Sequence, residues 1–167
     1  KAGTYKPTKD PFGNASPADP RDKTFYLKDG VAVYGGFDGT ETARSQRNWT
    51  SNLTILSGDI GTVGNNSDNC YHVVLSVSDA STTVLDGFTI QKGNANGGTG
   101  NIVVETKGTY RYLGGGLTNI FSSITVENCI FDTNSGIYGG GMYNEAGAPV
   151  VTTCTFSNNS AIQANGG

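Results

Sequence analysis

Gly114-Gly115-Gly116-Leu117-Thr118-Asn119, then Ile124-Thr125-Val126-Glu127-Asn128-Cys129-Ile130-Phe131-Asp132-Thr133-Asn134-Ser135, is followed by a second version of itself. That version is Gly139-Gly140-Gly141-Met142-Tyr143-Asn144, then Pro149-Val150-Val151-Thr152-Thr153-Cys154-Thr155-Phe156-Ser157-Asn158-Asn159-Ser160. Asn119 and Asn144, Cys129 and Cys154, Phe131 and Phe156, and Asn134 and Asn159 are each 25 residues apart. A period of about 20 to 50 residues marks a solenoid, a propeller or a helical array. Short runs rich in Val, Ile, Thr and Phe alternate with Gly and Asn clusters, and no apolar 3.6-residue spacing persists, so helical arrays are excluded. The expected fold is all-β: a right-handed parallel β-helix, a solenoid of about six to seven turns with projecting loops.

In such a coil each turn lies about 4.8 Å above the last, so residues one period apart sit over one another. The expected interior stack is Leu85, Phe88 and Ile90, then Val126, Cys129 and Phe131, then Val151, Cys154 and Phe156. Asn134 and Asn159 are expected to form an amide ladder at a bend. The glycine triplets read as tight corners and not as phosphate cradles, because neither is followed by a helix pattern or a Lys-Ser/Thr pair. Val84-Leu85-Asp86-Gly87-Phe88-Thr89-Ile90 is an earlier copy, offset by 41 because residues 95–113 add a hairpin-like insertion expected to project from one face.

Working outward, residues 7–23, 38–52 and 59–69 are polar side loops, the first broken by Pro7, Pro11, Pro17 and Pro20. Residues 1–167 make one domain, and only 35% are hydrophobic, a thin core for a globule but sufficient for a stack. Neither end carries a polar cap, and Asn165-Gly166-Gly167 reads as the start of another corner. The chain is therefore expected to be a fragment of a longer one, with flanking repeats or other copies of itself as partners at both ends. A net charge of −3 without a Lys/Arg cluster argues against nucleic acid, and the absence of an 18-residue apolar run argues against membrane insertion of this segment.

The Phe131-Asp132-Thr133-Asn134 and Phe156-Ser157-Asn158-Asn159 motifs, alternating with Gly-Gly-Gly-Leu and Gly-Gly-Gly-Met, resemble the repeats of the polymorphic outer-membrane proteins of chlamydiae. Ala2-Gly3-Thr4-Tyr5, Tyr34-Gly35-Gly36-Phe37, Ile55-Leu56-Ser57-Gly58-Asp59 and the Leu85 segment are similar to secreted bacterial right-handed parallel β-helix repeat proteins, with a pectate-lyase-like fold. The resemblance implies an extracellular or cell-surface structural or adhesive module, in a surface protein or a filament. Its partners would be surface glycans or host and cell-surface proteins, met through residues 38–52 and 95–113.

The alternative is a carbohydrate-active enzyme on the same coil, a polysaccharide lyase or glycoside hydrolase. The resemblance implies that such a site would cluster acids on one face, with calcium and an arginine base in lyases. Asp86 and Asp132 are the candidate acids, with Lys92 and Arg111 as basic partners. Yet Asp86 aligns with Glu127 and Thr152, and Asp132 with Ser157, so each reads as a single solvated acid and no catalytic residue is expected.

His72, the only histidine, lies in a strand and reads as structural. Gly58-Asp59-Ile60-Gly61-Thr62-Val63-Gly64 reads as a turn, since no helix pattern follows it. Cys70, Cys129 and Cys154 read first as buried thiols, with a Cys129–Cys154 disulfide and metal binding as weaker alternatives. Loops around Asp38, Asp59 and Asp68 offer the hard oxygen ligands that Ca2+ takes but lack a spaced ligand ladder, so no cofactor is expected. Asn14, Asn48, Asn52, Asn65 and Asn158 head Asn-x-Ser/Thr sequons and are the possible glycosylation sites.

Overall fold

A computed structural model gives the fold, and the structure describes residues 1–163. The chain is all-β and its main sheets are parallel. The first sheet stacks Gly3–Tyr5, Thr54–Ser57, Thr89–Gln91, Ile130–Asp132 and Thr155–Ser157. The second holds Phe25–Tyr26, Val74–Val77, Leu117–Ile120 and Met142–Glu145, and the third Ala32–Tyr34, Val84–Asp86, Thr125–Glu127 and Val150–Thr152. A fourth, narrower sheet holds Asn94–Ala95, Ser135–Gly136 and Ser160–Ala161. The chain visits the first three sheets in a fixed cyclic order, adding one strand to each per circuit, and the fourth gains a strand only from Asn94–Ala95 onward.

Register follows from the interior rows. Leu56, Ile90, Phe131 and Phe156 lie directly opposite one another, as do Leu85, Val126 and Val151. The Phe131 and Phe156 rings are parallel, with centroids 4.6 Å apart. Asn134, buried between rungs, accepts from Gly93 N–H at 2.9 Å and donates to Ile90 O at 2.9 Å and Asn159 Oδ1 at 3.0 Å. A second ladder links Asn119 Nδ2 to Asn144 Oδ1 at 2.6 Å.

Corners repeat like the rows. Gly87, Asn128 and Thr153 share positive φ between the third and first sheets, and Lys92, Thr133 and Asn158 share it between the first and fourth. Gly114 and Gly139 have φ of +66° and +65°, and a Cβ on the next residue, Gly115, would stand 2.2 Å from Ser135 O. The triplets are thus required both by dihedral angle and by close backbone approach.

Two expectations are corrected. The first sheet has five strands, hence four circuits from Gly3 to Thr155 and not six to seven turns. The reason is visible in the register, where offsets of 51 (Gly3 to Thr54), 34 (Ile55 to Thr89) and 41 (Thr89 to Ile130) precede the bare 25 (Ile130 to Thr155). Side loops consume the rest; residues 7–23, 38–52 and 59–69 each hold one short 3-10 turn, at Pro20–Asp22, Arg44–Gln46 and Asn66–Asp68. The stack is also not buried throughout, since Phe156 is 45% and Val151 38% exposed while Phe131 is at 0%. They form the last rung, and no further rung lies above them among the described residues. The corner expected at Asn165, Gly166 and Gly167 lies outside the described residues.

Phe131→Ala should cost about 3–5 kcal/mol, the transfer and cavity terms together. Phe156→Ala should cost about 1 kcal/mol, because half its surface is already wet and no closed cavity forms. Urea denaturation of the two variants checks the contrast; equal losses would mean that the last rung is as buried as the one beneath it.

Candidate functional site: a tyrosine-lined groove

The insertion at 95–113 builds the site. Asn101–Val104 and Lys107–Tyr110 pair antiparallel around Glu105 and Thr106, both at positive φ. The hairpin does not project, as its sequence suggested, but folds flat on the outer face of the second sheet. Val104 is buried there with Leu75, Val77 and Ile120, and Ile102, Tyr26 and Tyr143 pack around them. Alternation decides this: Val104 turns in while Val103 stays exposed. Tyr26 Oη donates to Glu105 Oε1, and burial first, then that bond, raises the Tyr26 pKa. Arg111 anchors the returning chain through a two-point pair with Asp22, at 2.8 and 2.6 Å.

Where the hairpin ends, the rungs above it stay uncovered. Tyr110, Tyr112 and Leu113 from the insertion meet Tyr138, Tyr143 and Glu145 from the next circuit around a groove of about 360 Å³. Tyr110 and Tyr112 ring centroids are 5.4 Å apart and tilted, and Tyr112 meets Tyr138 edge-on at 6.0 Å. Leu113 and Tyr138 form a parallel bridge, and Tyr138 Oη donates to Gln163 Oε1 at 2.7 Å. Burial first, then the Glu145 charge, raises the Tyr143 pKa. Rings, hydroxyls and one carboxylate equip the groove for binding; they supply no nucleophile and base in contact.

The carboxylates named as candidate acids are engaged elsewhere. Asp86 is not solvated: it pairs with Arg47 Nη2, the two side chains only 6% and 9% exposed, and accepts from Asn128 Nδ2 at 2.9 Å. Arg47 also lies over the Trp49 and Tyr34 rings, clamping residues 38–52 to the third sheet. Glu127 lies opposite Asp86 in register. Asp132 accepts from Ser157 and Asn158, bonds that hold its pKa below the usual range. Neither suggested basic partner faces these acids, because Arg111 is on Asp22 and Lys92 donates to Asp59 at 3.0 Å. Burial opposes the charge of Asp59, but bonds from Lys92 and Gly64 N–H, with the Lys92 and Lys6 charges, outweigh it and lower its pKa.

His72 is buried, its Nδ1 3.1 Å from Gly114 O and 2.9 Å from Thr118 Oγ1, and Nε2 has no partner among the described residues. Burial lowers its pKa to about 4. All three cysteines are free; Cys70 and Cys129 are buried and Cys154 half-buried. The Cys129 thiol is pushed up by the neighbouring Cys154 thiol and by burial, and Cys154 is pulled down by the same neighbour. Asp38 accepts from Thr40 N–H, and Asp68 accepts from Thr62 N–H and Asn65 Nδ2; among the described residues no three His, Cys, Asp or Glu gather as a metal set. Of the sequon residues Asn14, Asn48, Asn65 and Asn158 are exposed and Asn52 is half-buried, its Nδ2 3.3 Å from Gly36 O. Asn14, Asn65 and Asn158 donate their amides to Asp10, Asp68 and Asp132. A larger cavity, about 540 Å³, opens at the other end onto Phe25, Leu27, Leu56, Leu85 and Phe88 and continues the interior.

Sequence reasoning missed the groove and the Arg47–Asp86 clamp. Tyr110 and Tyr112 alternate as strand neighbours do, and Tyr138 stands 25 before Gln163, but joining them needs the hairpin's direction. Comparison of the chain with protein-family models, curated proteins and solved structures finds no match.

Arg47→Ala should cost about 3–5 kcal/mol by leaving a buried carboxylate unpaired, and removing Asp86 as well should restore part of it, read by urea denaturation as a double-mutant cycle. His72 gives a pH dependence of definite sign. Its folded pKa of about 4 lies below the unfolded value of about 6.5, so its contribution is whole above pH 6.5 and lost as pH falls toward 4. The loss should be on the order of 3 kcal/mol. Urea midpoints across that window should fall for the parent protein and be flatter for His72→Leu.

Proposed function

We propose that the four parallel sheets are the faces of one right-handed parallel β-helix, and that it serves as an extracellular structural or adhesive module without enzymatic activity. The cyclic visiting order, the in-register rows and the corner rows at positive φ favour the helix. The resemblance of its sequence motifs to polymorphic outer-membrane-protein repeats and to secreted β-helix proteins is what supports reading it as a module of a cell surface or a filament. Exposed apolar side chains on the last rung, Phe156 and Val151, and the cavity at the other end, which reaches in to Leu56 and Phe88, suit a further coil seated there, from a flanking repeat or another copy.

The observation that carries the adhesive reading is the tyrosine groove, an open aromatic surface fixed to a rigid stack. One observation favours the enzymatic alternative: Asp86 and Glu127 are carboxylates on adjacent rungs of one face. Against it, Asp86 is neutralised by Arg47 and bonded by Asn128. Purified protein incubated with neutral and acidic polysaccharides decides between the two. No release of reducing ends or unsaturated products is expected; release abolished in Glu127→Gln would replace the adhesive reading with the enzymatic one.

A further inference from the structure

Building on the adhesive reading, we infer that the tyrosine groove binds a non-acidic saccharide, one or two neutral pyranose rings of a glycan. The lining is amphipathic in the way a pyranose is. Ring faces of Tyr110, Tyr112 and Tyr138 suit the C–H face of a sugar, while phenol hydroxyls and the Glu145 carboxylate at the margin suit its equatorial hydroxyls. The hydroxyls of Tyr110, Tyr112 and Tyr143 make no hydrogen bond to other described residues, so packing alone does not explain Tyr in place of Phe or Leu.

Charge selects within the sugars. Among the described residues Glu145 is the one charged side chain of the lining, and no lysine or arginine lines the groove to receive a carboxylate. Uronic and sialic acids would therefore meet repulsion with nothing to offset it. The volume, about 360 Å³, is at the small end of ligand pockets, which limits the occupant to one or two rings. Preorganisation favours affinity: Arg111–Asp22 fixes one wall and the Leu113–Tyr138 bridge joins it to the other, so the backbone that carries the rings is held before a ligand arrives.

The test is titration of the whole protein with cellobiose, maltose, lactose and digalacturonate, followed by isothermal calorimetry and tyrosine-ring NMR shifts. At least one neutral disaccharide should bind and shift the groove tyrosines, and digalacturonate should not. Tyr112→Ala should weaken binding about tenfold or more, with thermal melts reporting whether it remains folded. Tyr112→Phe keeps the ring and loses the hydroxyl, and should weaken binding measurably but less than Tyr112→Ala; Glu145→Lys should admit digalacturonate. No neutral disaccharide binding, binding unchanged in Tyr112→Ala and Tyr138→Ala alike, preference for digalacturonate in the parent, or capture of a peptide in place of sugars would each overturn the inference. Binding accompanied by cleavage would overturn the adhesive reading and leave the saccharide site standing.

Discussion

Each rung of the parallel sheets can place its side chains only where the rung beneath has left room, and the rest of the molecule depends on that constraint. Parallel strands about 4.8 Å apart put like positions in direct contact, so a row must be apolar throughout, or polar with every amide matched. Phe131 on Ile90 is the first solution and Asn134 on Asn159 the second. The amide ladder is the more exacting of the two. A buried carboxamide without its partners costs about 1–3 kcal/mol, whereas Asn134 has both oxygen and nitrogen engaged, with Gly93 and Ile90 on the rung below and Asn159 on the rung above. The same repetition forces Thr133 and Thr153 into positive φ, a conformation β-branched residues avoid, because Asn158 and Asn128 one rung away turn the same corner.

Insertions are tolerated because they leave the stack at corners and return to the same register. Loop-closure entropy rises slowly with length, so offsets of 51 and 25 coexist in one sheet. The insertions are then tied down by charge. Arg47 and Asp86 hold one loop on the third sheet, Lys92 and Lys6 hold the 59–69 loop through Asp59, and Arg111 joins the hairpin to the first loop through Asp22. Hydrophobic burial builds the stack, and paired charges fix what hangs on it.

That division explains what could be read from residues alone. Rows 25 apart were legible because Cys129, Phe131 and Asn134 recur as identical types, and the 41-residue offset because Leu85, Phe88 and Ile90 keep the apolar spacing. The 51-residue offset was not, since Gly3 opposite Thr54 shares no residue type and two loops intervene. Burial of Asp86 was hidden because its partner comes from an aperiodic loop. The hairpin's docking was hidden as well: Glu105-Thr106 lacks the Asn-Gly or Asp-Gly marker of a two-residue turn, and the inward side of Val104 depends on which way the ribbon folds.

The groove arises at the boundary between these two kinds of structure. The hairpin covers the second sheet as far as Ile120 and stops, so the next strand, Met142–Glu145, presents Tyr143 and Glu145 beside its edge. A longer hairpin would bury them and a shorter one would leave no second wall. A regular stack alone offers flat faces, and an insertion alone offers a marginal two-stranded ribbon. Docked together they form a concave aromatic surface whose shape is fixed by rung spacing on one side and by the Arg111–Asp22 pair on the other.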